Sequence, residues 1–542
     1  MINAVNFVLF YFLIYFTGRG FFCLALRINK TKKESYVNYQ IPYLYPLIGL
    51  FVFGETKLIL NFFTSSNNFV FFIALIGIAS NIYFSNFKKE SLTVQSLIAL
   101  IFGFSSNSID FSYDAGLYHL NTQAWLNESK ISFGLVNLHS RYGYSSFIDY
   151  INSTTWVLDN FIYQHFTNII FLVSIFLFIY ISIFKNKFSY FRIPFIVLLG
   201  FGFLDNFGLN GGRNGFFDIE AISKQDNPFA VLFVILLIYT IQYFLVKESR
   251  NNFNLIIIIF LFIFSVQMRL FALFLAPLVL YILIKEFKEY KKSNTFLNYL
   301  IIFSFIGFNW ILKNFIVSSC FFYPISFTCV TNTNWFAYEN AVVETYELQN
   351  FHIVWNPLKQ NISGWLFSWM EREVNETVLI NFIGSLLVTL IFLFLFSSKK
   401  KSQKSFQYFF LPLYLFFCWL ISSPSIRMGI SIFVISFFIL GLNRHSLNKF
   451  FDKSFLLKIL FWVVILSMPR LSTYQDILEN PFTLNDVVPQ KVSYIPHNNS
   501  IYWGVTSSQG DQCWININCV PSPVVINESL IFDYRVFEKI NK

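Results

Sequence analysis

The chain has 542 residues, 55% of them hydrophobic and 13% charged, with a formal net charge of +10. Soluble domains carry about 25% charged residues, so this composition excludes an ordinary soluble enzyme. It also argues against a nucleic-acid partner, because Lys and Arg gather in short loops between apolar runs, as the positive-inside rule predicts.

Apolar runs near the roughly 20 residues that cross a bilayer as a helix recur from end to end. The fold class they predict is an all-α polytopic membrane protein. The first run, MINAVNFVLFYFLIYF, has no basic residue before Arg19. That argues against a cleaved signal peptide and suits a first helix with its N-terminus outside. Fourteen transmembrane helices are expected, starting near residues 4, 41, 69, 92, 166, 193, 228, 253, 270, 297, 377, 406, 429 and 455. Alternate loops then face the cytoplasm, namely 29–33, 87–90, 185–192, 247–250, 285–292, 397–404 and 443–453, and every one is basic. The stretch 253–285 keeps this parity only as two spans broken at Gln267-Met268-Arg269.

The polar sequence falls on the opposite, extracytoplasmic face. It comprises loops 105–165, 209–227 and 319–376, the tight turn SSPSIRMG at 422–429, and a tail that places the C-terminus outside too. Three parts follow: an N-terminal three-helix membrane segment at 1–91, a membrane core at 92–468, and a small C-terminal domain at 469–542. The tail reads as an α/β or β domain, since strand-like runs (SIYWGV, PVVINESLIFDYRVF) alternate with turn residues. Of the six cysteines, Cys320, Cys329, Cys513 and Cys519 land outside in two close pairs. In an oxidising compartment this predicts disulfides Cys513–Cys519 and Cys320–Cys329.

Within the loop 105–165, residues 114–126 are expected to form an amphipathic helix lying at the membrane surface. Leu117, Leu120 and Ala124 share one side, and Asp114, Tyr118, Asn121 and Trp125 share another. Asp114 has two readings. One is an N-cap on the positive helix end. The other is a catalytic carboxylate, which accepts a proton from an attacking hydroxyl or holds a divalent cation, Mg or Mn. Asp110 and Asp149 are alternative carboxylates. His119 and His139 are catalytic candidates through hydrogen bonds in the loop or to substrate. No tight ligand motif assigns a metal to them.

Charged groups near membrane depth are expensive and tend to be functional. Asp205, Arg213 in GLNGGRNG, Arg269, Lys313 in NWILKN, and Arg427 all fall at the outer face. With Arg141, the cations form a rim suited to phosphate recognition. Each, read singly, is also an interfacial anchor that snorkels to headgroups.

A resemblance joins these residues. YDAGLYHLNTQAWLNESKISFGLVNLHSRYGYSSF reads as Asp-x-Gly-x-Tyr-His followed by Gly-Leu-x-Asn-Leu-His-x-Arg, and resembles a signature of bacterial polytopic membrane proteins related to the GT-C glycosyltransferase superfamily. NWILKNFIVSSCFFYP, SSPSIRMG and GDQCWININCVPSP resemble the same group. The GT-C likeness implies a core beginning near residue 92 in a bacterial inner membrane. It also implies transfer of a sugar from a polyprenyl-phosphate-linked donor to a cell-surface glycan or lipid acceptor on the extracytoplasmic face. The first-loop acid would be Asp114, with Ala115 where many members carry a second acidic residue. Arg213, Arg269 and Arg427 are candidates for the donor phosphate from topology, not from a matched motif. The rival expectations are a polysaccharide polymerase or ligase, and a transporter or flippase of a lipid-linked glycan.

Overall fold

Long apolar segments with few charges form helices here because the backbone hydrogen bonds close within each segment. A computed structural model describes residues 1–28, 41–84, 89–107, 109–144, 146–156, 160–185, 189–208, 216–290, 294–351, 353–356, 358, 361–399, 408–442, 444–447, 454–481, 487–497, 502–506 and 510–539. Arg213 lies outside the described residues, as do all or part of every basic loop except 247–250. The chain is mostly helical, and each of the fourteen expected starts falls on a helix or within four residues of one.

The number of spans differs from the expectation. Among the described residues, six helices are long and apolar enough to cross a membrane: Ile2–Arg27, Ile162–Phe184, Asp226–Leu245, Leu270–Phe287, Phe296–Ser318 and Asn375–Phe396. A seventh counts if the pair Ser454–Ser467 and Leu471–Glu479, bent by 69°, is one span. Five further apolar helices, including Asn252–Met268 and Ile426–Leu442, have 10–17 residues. At 1.5 Å per residue a 17-residue helix is about 25 Å long, short of the roughly 30 Å hydrocarbon layer. Hydropathy runs counted from sequence do not reveal where a cap or break shortens the helix.

The expected break is present. The helix Asn252–Met268 ends at Arg269, whose backbone is extended (φ −152°, ψ 134°), and a 3₁₀ turn Leu270–Leu275 leads into Ala276–Tyr290.

Ile162–Phe184 and Asp226–Leu245 are buried along nearly their whole length and form the centre of the bundle. Peripheral helices turn large apolar side chains outward, such as Ile301, Phe305, Leu387 and Phe394. A continuous apolar surface of this kind suits lipid, not water. The first helix Ile2–Ile28 packs closely on Tyr45–Asn61 through Gly18 and Gly49, and on Asn68–Phe84 through Gly20 and Gly77. A Cβ at these glycines would strike the neighbouring backbone, the close approach that small residues permit in membrane bundles.

The tail forms two small antiparallel pairs, Tyr494–Pro496 with Trp503–Val505, and Ile526–Ile531 with Tyr534–Lys539. The second hairpin docks on the polar loop: Phe133 N–H donates to Arg535 O (2.9 Å) and Phe537 N–H donates to Phe133 O (2.9 Å). Both Cys320–Cys329 and Cys513–Cys519 are disulfide-bonded. Cys23 and Cys418 are free.

Candidate functional site

Asp114 precedes a π-helical turn, Ala115–His119, that runs into the α-helix Leu120–Glu128. The helix expected over 114–126 is present but wound more widely in its first turn, a feature that recurs at functional sites. It is not a surface amphipathic helix, because Asn121 and Trp125 on its second side are buried against the tail as fully as Leu117, Leu120 and Ala124 on the first. The Asp114 carboxylate makes no capping bond. Ser112 takes that role, accepting the Ala115 N–H at its hydroxyl and its carbonyl, both at 3.0 Å. Freed from the cap, Asp114 Oδ1 stands 3.5 Å from Arg141 Nη1.

Arg141 sits in a 3₁₀ turn, Ser140–Gly143, capped by His139, whose Nδ1 accepts the Arg141 N–H at 3.3 Å. Its guanidinium also lies 3.9 Å from Glu344 and 5.6 Å over the Tyr118 ring. Glu344 belongs to the helix Tyr338–Phe351 and is fixed by hydrogen bonds from Tyr144 (2.8 Å) and Ser140 (2.5 Å). Burial, then the Glu344 charge, raises the Tyr144 hydroxyl well above its ordinary pKa, so it remains a donor.

A second cluster forms where the helix break meets the turn 422–429. Asp226, first residue of its helix, is paired closely with Arg269, and Arg427 Nη1 lies 3.9 Å from its other oxygen. Arg269 and Asp226 are nearly buried, whereas the Arg427 side chain is 58% exposed. Burial and the adjacent Asp226 charge push the Glu220 carboxyl upward, and it accepts the Asn227 N–H at 3.0 Å.

Both clusters line one cavity of about 1310 Å³. Asp114, Arg141, Arg269 and Arg427 are all on its wall, and Phe271, Leu273, Phe274 and Phe351 supply an apolar part of it. Binding cavities commonly combine an apolar lining with a few convergent polar groups.

The two histidines lie elsewhere. His119 is buried, with Nδ1 2.9 Å from Asp149, and Asp149 also accepts from Gln123 at 3.2 Å. The Tyr118 ring packs against His119, tilted by 36° with centroids 4.2 Å apart, and Tyr118 is the one of the two that lines the cavity. His139 acts through the Arg141 turn. Lys313 is fully buried, with its ammonium 3.5 Å over the Trp310 ring. It packs behind the wall that Trp310 provides. Among the described residues no three His, Cys, Asp or Glu side chains form a metal-holding group. The partner facing Asp114 is itself a cation, so its donor set does not fit a divalent metal.

The model of a family described as a domain of unknown function (DUF8201) matches residues 1–434. The chain belongs to the DUF8201 family. No curated protein and no solved structure matches it. The cavity lining of this DUF8201 protein runs from Phe111 to Met428, wholly within the matched stretch. The tail that abuts the Asp114 loop lies beyond it.

Sequence reasoning passed over Asp226 and Glu344. A signal for Asp226 was present: a carboxylate opens a 20-residue apolar helix, at the depth where a charge is costly. Glu344 gave none, since helix Tyr338–Phe351 sits in a long polar loop and its fixed partners come from 200 residues away.

Proposed function

We propose that this DUF8201 protein is an integral membrane glycosyltransferase of GT-C type. It would transfer a sugar from a polyprenyl-phosphate-linked donor to a cell-surface glycan or lipid acceptor on the extracytoplasmic face of a bacterial inner membrane. The reading is carried by one observation: Asp114 and three arginines share a cavity with an apolar wall. A lipid-linked phosphate presents these two chemistries together.

In this mechanism an acceptor hydroxyl attacks the anomeric carbon of the donor. The new glycosidic bond forms as the bond from that carbon to the phosphate oxygen breaks. Asp114 takes the hydroxyl proton as general base. The departing phosphate keeps the electron pair and is stabilised by Arg427 and Arg269, whose guanidinium groups offer two-pronged donation. Arg141 orients Asp114, and Tyr118 and Glu344 hold Arg141. The polyprenyl chain lies along Phe271, Leu273 and Phe274.

We read sidedness from the charge pattern over fourteen expected spans with both termini outside. The six long helices, the bent pair and the five short ones supply twelve, and Tyr45–Asn61 and Ser189–Phe207 the other two, the short ones crossing where the bilayer thins around them. Helix Asp226–Leu245 supports it, because Asp226 borders the cavity and the basic loop 247–250, with Lys247 and Arg250, lies past the other end. Twenty residues place those ends about 30 Å apart, a bilayer's thickness.

Reconstituted protein supplied with a polyprenyl-phosphate sugar and an acceptor tests the reading. Wild type should form the glycosidic product, and Asp114→Asn should lose transfer while still binding donor. Intact transfer by Asp114→Asn would favour a polysaccharide polymerase or ligase working through the Asp226–Arg269–Arg427 cluster. Movement of lipid-linked sugar across liposomes without covalent transfer would replace the enzyme by a flippase.

A further inference from the structure

The tail holds both sides of Asp114. Gln512 Nε2 donates to Tyr113 O at 3.0 Å on one side, and Trp514 N–H donates to Gly116 O at 2.8 Å on the other. The Tyr113 hydroxyl donates to both Asp511 oxygens, at 2.6 and 2.8 Å. Further along, Asn121 Nδ2 donates to Asn516 O at 2.6 Å, and the Trp514 ring meets Phe111 edge-on with centroids 5.3 Å apart. Every tail residue in these contacts lies between 511 and 516; the Cys513–Cys519 disulfide closes a small ring that holds Trp514 and Asn516, and Asp511 and Gln512 lie on the segment leading directly into it. Gly116 shows how close the fit is: a Cβ there would lie 2.9 Å from Gln512 Cβ and 3.0 Å from Trp514 Cε2.

The held segment needs this support. Asp114 makes no capping bond, and the turn after it is π-helical, which is uncommon and poorly self-supporting. Its carboxylate is partly exposed, and among the described residues its one ion-pair contact is at 3.5 Å. The local interactions are few, so the position of Asp114 depends on what braces the backbone on either side.

We propose that the segment Gly510–Cys519, anchored by the Cys513–Cys519 disulfide, is a positioning element for Asp114, with Asp511, Gln512 and Trp514 as its positioning residues. The tail is then part of the site, although it lies outside the 1–434 stretch that the family model matches. The consequence for activity rests on the reading of Asp114 as the base. The clamp itself does not, and the test separates the two.

Hydrogen exchange on the full-length protein in lipid nanodiscs reads the clamp directly. In the Cys513→Ser/Cys519→Ser variant, peptides covering 112–120 should exchange at least tenfold faster. Peptides covering the 526–539 hairpin, which docks through Phe133, should keep their protection. Gln512→Ala keeps the disulfide and removes one brace, so it guards against a general folding defect. It should speed exchange over 112–120 by about threefold to tenfold, the scale of one neutral hydrogen bond. Unchanged exchange over 112–120 in both variants would overturn the proposal. In the transfer assay Gln512→Ala should lower kcat with donor KM within about twofold. Faster exchange with kcat unchanged would leave the clamp standing and remove Asp114 from the chemistry.

Discussion

Arg141 and Asp114 face each other at 3.5 Å on the wall of the cavity, 27 residues apart in sequence. Both belong to a loop whose two halves carry the Asp-x-Gly-x-Tyr-His and His-x-Arg patterns, so the pairing joins those halves into one site. Asp114→Asn keeps the shape and removes the base. General-base removal costs about 10²- to 10⁴-fold in rate, and that loss is expected in kcat with donor affinity retained. Arg141→Lys keeps a charge but loses the planar fork and the stacking on Tyr118. A smaller fall in kcat than for Asp114→Asn is expected, read in the same transfer assay.

How far the sequence leads depends on the kind of signal. The break at Gln267-Met268-Arg269 was legible because charge parity of flanking loops requires it. The cysteine pairs were legible because they are close in sequence. The Asp114 loop was legible as a polar stretch in an apolar chain. The partners of that loop were not. Asp511 meets Tyr113 at a separation of 398 residues, and Tyr534 donates to Phe62 O at 472. Nothing periodic marks such contacts. Of the two roles expected for His119, a hydrogen bond within the loop or one to substrate, the structure contains the first. Its imidazole pairs with buried Asp149, a carboxylate that a short helix, Phe147–Ser153, carries into the loop core and that spacing alone did not single out as the partner.

Asp226 should matter more to stability than either arginine's exposure implies. It is nearly buried and paired with Arg269, which is nearly buried as well. Removing one partner of a buried pair strands the other, at a cost of about 3–5 kcal/mol. Asp226→Ala is expected to lose stability on that scale. Arg427→Ala, at an exposed position 3.9 Å from the same carboxylate, should cost about 0–1 kcal/mol. Thermal unfolding of the two variants in the same detergent checks the difference. Equal shifts would mean that the Asp226–Arg269 pair is not what holds the break.

His139 gives a pH dependence. Burial, then the Arg141 charge, lowers its pKa from the usual 6.5 to about 4. The unfolded chain therefore binds a proton between those values that the folded chain does not. Stability is full above about pH 6.5 and falls as pH drops toward 4. Protonation of Nδ1 also removes the acceptor for the Arg141 N–H, releasing the turn that aims Arg141. His139→Asn keeps an acceptor without the titration. Its unfolding midpoint should decline less between pH 6.5 and 4 than that of wild type, and parallel declines would sink the assignment.

One cavity is lined by both Tyr113 and Arg427, and the proposed topology opens it to the extracytoplasmic side, so the two are expected to be reached from the same side of the membrane. Tyr113 is 59% exposed, and the Arg427 side chain is 58% exposed, so cysteines at either site are open to a reagent. The proposed topology puts Glu248, in the turn Lys247–Ser249 beyond helix Asp226–Leu245, on the other side. An impermeant maleimide applied to intact cells is expected to label Tyr113→Cys and Arg427→Cys and to spare Glu248→Cys. Permeabilised cells should then expose all three. The free native thiols, Cys23 and buried Cys418, set the background and are removed by Ser substitution. Labelling of 113 and 427 from opposite sides would break the cavity into unrelated surfaces. With it would go the juxtaposition of the Asp114 carboxylate and the arginine cluster on which a phosphate-linked donor depends.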